Sequence, residues 1–497
     1  MIQKLYKKKI NLKKFIINLD IKSNFFINKN KIFFFGNPIY NNFDNLNINN
    51  IFKEIKNIKG YFLILIKNKN NIFLINDILG NFRCYYLKKK NEIYISNYLT
   101  KFTNKISRKL NLQEFNFWKQ KGYTSGDETF YKGLKKIPPN SIFRINQKLS
   151  IKSYFGLTKK INYNHNHENF VKQKLIESLN ILKKNNQKII LLFSGGVDST
   201  ALALLMKQLK IKFIPIYFAT IPNTFESDKG LELVKRIGKL IKIKPKILKI
   251  KLKTKKSIIT KISRFMQFDL HTSIVQFEGI KKILGIYGKN IQIISGQSSD
   301  SIFCYGASTN SLSHIIIRFM NIFKIPLLFK FVKTQLEKKY KKKLIIPTTD
   351  FEYKYYFYNS FFYYPFKIYQ RNKDSYIKKK IYKLLNNKEF DKRFDYMRLK
   401  IFGFLQGPDN MVFIQAGNSV SFYNIFLPFA DALIIESICA NQSIIKNLFF
   451  PKYEVRNLIK NGILREILKK KKKRNLIKIE DLIINIKETI LTNENQK

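Results

Sequence analysis

The chain has 497 residues, 45% of them hydrophobic and 15% aromatic, enough to bury the cores of two or three domains and to exclude a chain disordered throughout. Its 93 Lys and Arg against 33 Asp and Glu give a formal charge of +60, which taken alone is the footprint of a nucleic-acid or anionic-surface binder. Nearly all of the excess is Lys, with about a dozen Arg, and Arg is the residue that reads base edges in pairs; Lys, Asn, Ile, Phe and Tyr rise together as AT-rich codons would make them, so nucleic acid is not expected as the main substrate.

In chain order, the first twenty residues show no long apolar stretch before a small-residue cleavage site, and no signal peptide is expected. Residues 31–157 read mostly as strands. KIFFFG, GYFLILI, NIFLIND, CYYLKK and EIYISN are short β-rich runs separated by turn pairs such as Lys69–Asn70 and Leu79–Gly80. From residue 158 the pattern changes, and NHENFVKQKLIESLNILKKN repeats apolar positions at helical spacing. KIILLF (Lys188–Phe193) is a continuous apolar run, as in a strand buried on both faces. DSTALALLMKQL is helical, KFIPIY a strand, GLELVKRIGKL a helix and PKILKI a strand; a helix around Ser273–Leu284 leads to the strand IQII, Ile291–Ile294. This alternation predicts an α/β domain with helices on both faces of a parallel sheet.

The most membrane-like stretch, from Ile315, is broken by Arg318, Lys324 and Lys330, so no membrane span is expected. Residues 330–400, with the aromatic cluster Tyr353–Tyr364, give no confident fold and read as core or a packed insertion. From Phe404 to about Ile484 the pattern is helical, and residues 486–497 read as a flexible tail. The three cysteines, Cys84, Cys304 and Cys439, form no CxxC pair, and only four His occur. Neither a zinc site nor a disulfide framework is expected, and a reducing, cytoplasmic setting is.

The strongest motif is Ser194-Gly195-Gly196-Val197-Asp198-Ser199, directly after KIILLF and opening a helix. Such a loop leaves unpaired N–H groups at a helix N-terminus for an anion, and two glycines let the backbone approach an oxygen-rich group. Ser194 and Ser199 add hydroxyls, and Asp198 could hold a magnesium ion that bridges phosphates. The competing reading is a tight turn in which Asp198 and Ser199 only cap the helix. A second segment follows IQII: Ser295-Gly296-Gln297-Ser298-Ser299-Asp300-Ser301-Ile302-Phe303. Asp198 and Asp300 both follow carboxyl ends of strands, where open α/β sheets bind ligands, although Asp300 by itself also reads as a loop cap.

SGGVDS resembles the pyrophosphate loop of the ATP pyrophosphatase superfamily, whose members cleave ATP between the α and β phosphates. The second segment resembles the SGxGxDExF stretch of asparagine synthetases and β-lactam synthetases. Further resemblances fall in that family's order: Phe268–Ser273, Tyr123–Asn146, Asp409-Asn410-Met411, Pro428-Phe429-Ala430-Asp431, Pro451–Arg456 and the stretch ILKKKKKRN. Together they cover about residues 30–480. The resemblance implies an Ntn-hydrolase-like, β-rich N-terminal domain over 1–157 of the glutamine-amidotransferase type. It implies a doubly wound, adenine nucleotide α-hydrolase-like synthetase domain with extra helices over 158–485. ATP would bind on Ser194, Gly195, Gly196, Val197, Asp198, Ser199, Ser295 and Gly296, with Mg²⁺ on Asp198 and Asp300. The family's ILKKKKKRN counterpart makes Lys472 the candidate catalytic lysine, with Lys452 weaker; as plain charge, Lys469–Lys473 reads as a solvated helix end. His271 reads as a packing residue before a base.

Departures from the family are specific. Glutamine-dependent members open on a Cys nucleophile; position 2 here is Ile2, and the glutaminase asparagine–glycine–glutamate segment is not visible, so the N-terminal domain is expected to be a degenerate scaffold. Gln297, counted with Lys472 and Lys452 among the catalytic candidates, stands where asparagine synthetases carry Glu and β-lactam-forming members Tyr, and an amide cannot act as a general base near pH 7. Ser301 replaces the motif's acid, and Asn424 and Phe426 replace a Glu–x–Arg. The expectation is an AMP-forming amide ligase that joins a small-molecule carboxylate, by default aspartate, to ammonia or an amine. The alternatives are an amide or lactam former of a specialised pathway and a non-catalytic nucleotide-binding homologue. The resemblance also allows a homodimer.

Overall fold

The computed structural model describes residues 2–12, 14–27, 32–102, 110–121, 124, 127–146, 148–153, 167–184, 187–221, 225–251, 273–303, 334, 412–441 and 452–468. The aromatic insertion Tyr353–Tyr364, the tail 486–497 and nearly all of 330–400 lie outside them.

Ten strands build the first sheet: β1 (Ile2–Asn11), β2 (Ile16–Ile27), β3 (Phe33–Ile39), β4 (Lys59–Asn68), β5 (Asn71–Asn76), β6 (Tyr85–Lys89), β7 (Glu92–Ser96), β8 (Leu134–Lys136), β9 (Ser141–Ile145) and β10 (Leu149–Ser153). The order is β10-β9-β5-β4-β3-β2-β7-β6-β8, with β1 paired to β2, and every pair is antiparallel except β2 with β7. The expected strand runs of 31–96 all appear. β1 and β2 were not among them. In β2, Ile17, Leu19 and Ile21 are buried while Asn18, Asp20 and Lys22 are not, the two-residue period of a half-buried strand. In β1 the exposed run Lys7–Lys9 hides the same period. Two helices also interrupt this region, α1 (Ile51–Glu54) and α2 (Leu112–Lys121).

The second sheet is parallel throughout. After α3 (His167–Lys183), the chain alternates β11 (Lys188–Leu192), α4 (Val197–Gln208), β12 (Phe213–Ile221), α5 (Phe225–Leu240), β13 (Lys246–Lys251), α6 (Ser273–Tyr287) and β14 (Ile291–Ser295). Then come α7 (Ser299–Phe303), α8 (Val412–Ser419), β15 (Ile425–Phe426), α9 (Ala432–Asn441), α10 (Tyr453–Arg456) and α11 (Asn461–Leu468). The strand order is β13-β12-β11-β14-β15. Growth runs outward from β11 to β13 and then jumps back across β11 to β14. Right-handed crossovers therefore put α6 on the face opposite α4 and α5. α6 packs on α8, whereas α4 packs on α10 and α5 on α11. Pro215 is tolerated inside β12 because residues 213–216 pair with β11 and 216–221 with β13, which keeps it out of the β13 ladder. The wholly helical reading of 404–484 is corrected by β15. Its two residues are too short to show a period, and it forms because Ile293 and Ile294 offer it a parallel edge.

A polar seam ties the first sheet to the stretch 418–436. Tyr61 donates to the Tyr423 carbonyl (2.7 Å), Asn37 to the Ile425 carbonyl (3.0 Å) and Asn24 to Asn424 (2.9 Å). Lys59, buried on β4, pairs with buried Asp431, and Lys56 with Glu436 (2.8 Å). Asp431 also accepts from the amides of Leu433 (2.8 Å) and Ile434 (3.2 Å) at the start of α9. Asn424 and Phe426, the positions that depart from the family's Glu–x–Arg, thus lie on this seam and on β15.

Candidate active site

β11 ends at Leu192 and the chain turns through Ser194–Gly196 into α4. Gly195 sits at φ +69, and a Cβ there would lie 3.1 Å from the backbone of Leu233 and Val234 on α5, so both the turn and the packing require glycine. Gly196 is the N-cap, in extended backbone with no capping side chain. The first-turn amides of Val197, Asp198 and Ser199 lack helical acceptors and lie at the positive end of the helix dipole. Ser199 closes the loop: its Oγ accepts from the Ser194 amide (3.2 Å) and lies 3.1 Å from Ser194 Oγ.

The second loop leaves β14, the strand next to β11. Gly296 is pressed against the start of α4, where an added Cβ would be 2.9 Å from Asp198 Cβ. That contact brings Ser299 close enough to donate to Asp198 Oδ1 (2.7 Å). The strand order reverses between β11 and β14, the crevice in which open α/β sheets bind ligands.

Lys452 closes the arrangement from α10. Its Nζ donates to Asp198 Oδ1 (2.8 Å) and Oδ2 (2.6 Å) and lies 2.7 Å from Asp300 Oδ1. The side chains of Lys452, Asp198 and Asp300 are 9%, 19% and 63% exposed, so the cluster opens toward solvent at Asp300. Burial raises the Asp198 carboxyl above its ordinary pKa; the Lys452 ammonium pulls it back and the Asp300 charge adds to the rise. Lys452 (φ +60) and Ser298 (φ +75) both hold left-handed backbone without being glycine, a strain of about 1 kcal/mol each that the surrounding packing must hold.

The sequence-based candidates are distributed as follows. Ser194, Gly195, Gly196, Val197, Asp198, Ser199, Ser295, Gly296, Asp300 and Lys452 converge on one crevice. Gln297 lies at its edge, where its Oε1 accepts from the Phe413 amide (3.3 Å) in the first turn of α8. Lys472, the run Lys469–Lys473, His271 with Phe268–Thr272, and Asp409-Asn410-Met411 lie outside the described residues. Cys84 is wholly buried in the first sheet's core, and burial pushes its thiol up, which leaves it unreactive.

Five residues were given no role in the sequence reading. Glu454, wholly buried on α10, faces His167 Nδ1 at 3.5 Å, and His167 Nε2 lies 3.1 Å from Ser437 Oγ on α9. Asn457 also bonds Glu168. α10 thereby packs on α3, and α3 in turn on α9. The one signal was a His at the first position of a helix, His167.

Two carboxylates from separate strands within reach of one ammonium form a hard oxygen donor set, which fits Mg²⁺. The fold and this loop define a nucleotide-binding class, and the family match agrees. Residues 164–290 match the PP-loop domain family, so the chain carries a PP-loop ATP pyrophosphatase domain. A stretch of 170 residues is 26% identical to the microcin J25-processing protein McjC of Escherichia coli; it spans 33% of this chain and 32% of that protein. Structural similarity extends to the NH3-dependent NAD synthetase of Campylobacter jejuni (TM-score 0.21, 16% identity, 37% of this chain and all of that one). It also extends to the NMN synthetase of Francisella tularensis (0.18, 16%, 27% and 57%) and the U34-tRNA thiolase NcsA of Methanococcus maripaludis (0.22, 14%, 50% and 80%). Among the described residues, no helix is long and apolar enough to cross a membrane.

Proposed function

We propose that the protein is an ATP-dependent, AMP-forming amide ligase. The observation that carries this reading is the convergence of Asp198 and Asp300 on one cation position beside the α4 N-terminus. In the proposed reaction, ATP lays its phosphates on the amides and hydroxyls of Ser194–Ser199. Bound between Asp198 and Asp300, Mg²⁺ would neutralise charge on the phosphates. A carboxylate oxygen of the substrate attacks the α-phosphorus, the bond to the β-phosphate oxygen breaks and pyrophosphate leaves. An amine nitrogen then attacks the acyl carbon. The C–N bond forms, AMP departs with its oxygen, and the amine loses a proton. Lys452 supplies positive charge to the phosphates, and Lys472 is the candidate for the departing groups. Gln297, spent on the α8 turn, positions the acceptor side and is not a base.

The first sheet is proposed as a degenerate amidotransferase-like domain, 1–157, serving as scaffold for a synthetase domain, 158–485. Nitrogen then comes from ammonia or a second amine substrate. Aspartate is the default carboxylate. A specialised carboxylate and amine, forming an amide or lactam, is the second reading, and the match to a microcin-processing protein favours it. Exchange of labelled pyrophosphate into ATP across a panel of carboxylates tests the proposal. Exchange with aspartate supports asparagine formation, and exchange only with another acid supports the second reading. ATP binding without any exchange would mean a non-catalytic nucleotide-binding protein.

A further inference from the structure

We propose that Lys452 is an exchangeable counter-cation: its ammonium holds the metal position between Asp198 and Asp300 until a metal–nucleotide complex displaces it onto the phosphates. This rests on the reading of those aspartates as the metal ligands. Nζ makes contacts of 2.6–2.8 Å with three oxygens of two carboxylates, the place a hard cation would take. Without it, two carboxylates would face each other with a net charge of −2, one of them already raised by burial. With it the cluster carries −1.

The backbone around Lys452 leaves only the side chain free to travel. Lys452 is held in left-handed backbone, and its carbonyl accepts from the amides of Val455 (3.0 Å) and Arg456 (2.9 Å). Two residues on, Glu454 is fixed against His167. His167 Nδ1 lies 3.5 Å from the Glu454 carboxyl, and α10 packs there against α3. His167 Nε2 in turn lies 3.1 Å from Ser437 Oγ, whose hydroxyl donates to the Ile434 carbonyl (2.8 Å). A four-carbon side chain on a fixed base can swing off the carboxylates; the helix does not follow.

This arrangement sets a loading order. A bare divalent ion must expel the ammonium with nowhere to send it, whereas a metal–nucleotide complex brings the phosphates that receive it. Free metal therefore binds weakly, and metal with nucleotide binds well.

Titration of Mn²⁺ followed by electron paramagnetic resonance, without nucleotide, on wild type, Lys452→Met and Lys452→Met/Asp300→Asn tests this. The Met variant should bind Mn²⁺ at least about tenfold more tightly than wild type, as removal of ~1.4 kcal/mol of competition requires. Its metal-free thermal midpoint should fall below wild type and recover on Mn²⁺ addition, which also separates loss of the counter-cation from misfolding. The double variant should lose the gain. An affinity within twofold of wild type for Lys452→Met overturns the exchange while leaving the metal site standing. Equal Mn²⁺ binding by the single and double variants overturns the metal assignment itself.

Discussion

Asp77 sits wholly buried beneath the first sheet, with backbone N–H groups of Phe62 (3.4 Å), Leu79 (3.1 Å), Asn81 (2.9 Å) and Phe82 (2.8 Å) pointing at its two oxygens. Burial pushes its pKa up to about 6, although those four donors pull it down. An unfolded Asp titrates near 4, so the folded chain holds this proton more tightly. The stabilisation is complete below about pH 4 and is lost as pH rises through 6, ~3 kcal/mol in all. Denaturant unfolding of Asp77→Asn should show the variant gaining on wild type by about that amount between pH 4 and 6.5; a constant difference would sink the assignment. At the crevice, Ser299→Ala removes a hydroxyl donor from Asp198 and should weaken ATP binding by roughly 1 kcal/mol, fivefold by calorimetry. Gly195→Ala forces a side chain into left-handed backbone against α5 and should abolish nucleotide binding. Asp198, Ser199 and Asp300 could be chosen from the sequence because each stands in the first turn of a helix that closely follows an apolar strand. Lys452 could be only a weak choice. Its distance from Asp198 is 254 positions, and neither its left-handed backbone nor its reach to both aspartates leaves a local pattern.

At the scale of elements, legibility followed length and period. β11 and β14 were visible as apolar runs, and α4 to α6 as repeats of three and four. β15 was invisible because it exists only through its partner, and β1 because lysines cover its exposed face. The packing of α9 on the first sheet was equally hidden, since Lys59 and Asp431 are ordinary charged residues until they are buried together. Lys59→Met should leave Asp431 as an unpaired buried charge and cost about 3–5 kcal/mol in unfolding free energy. Adding Asp431→Asn should recover much of it, because the amide oxygen can still cap α9. A double-mutant cycle in denaturant measures the coupling. Strictly additive losses would show that the two charges do not sense one another.

For the whole molecule, a formal charge of +60 is a standing self-repulsion. Thermal midpoints should climb as sodium chloride rises from about 0.02 to 0.3 M, over which the screening length falls from roughly 20 Å to roughly 6 Å. Any retention on heparin should vanish over the same range without sequence preference. A midpoint that is flat or falls with salt would show that paired charges outweigh the excess. Synthesis adds a temporal side to the seam. A ribosome finishes Lys56, Lys59 and Tyr61 hundreds of codons before Asp431 and Glu436 emerge. The early β-sheet thus waits as a template on which the late helices settle, and those helices deliver Lys452 to the Ser194–Gly196 turn and Asp198, translated long before. Two separately encoded fragments, split between the sheets, should therefore find each other when co-expressed and precipitate when made alone.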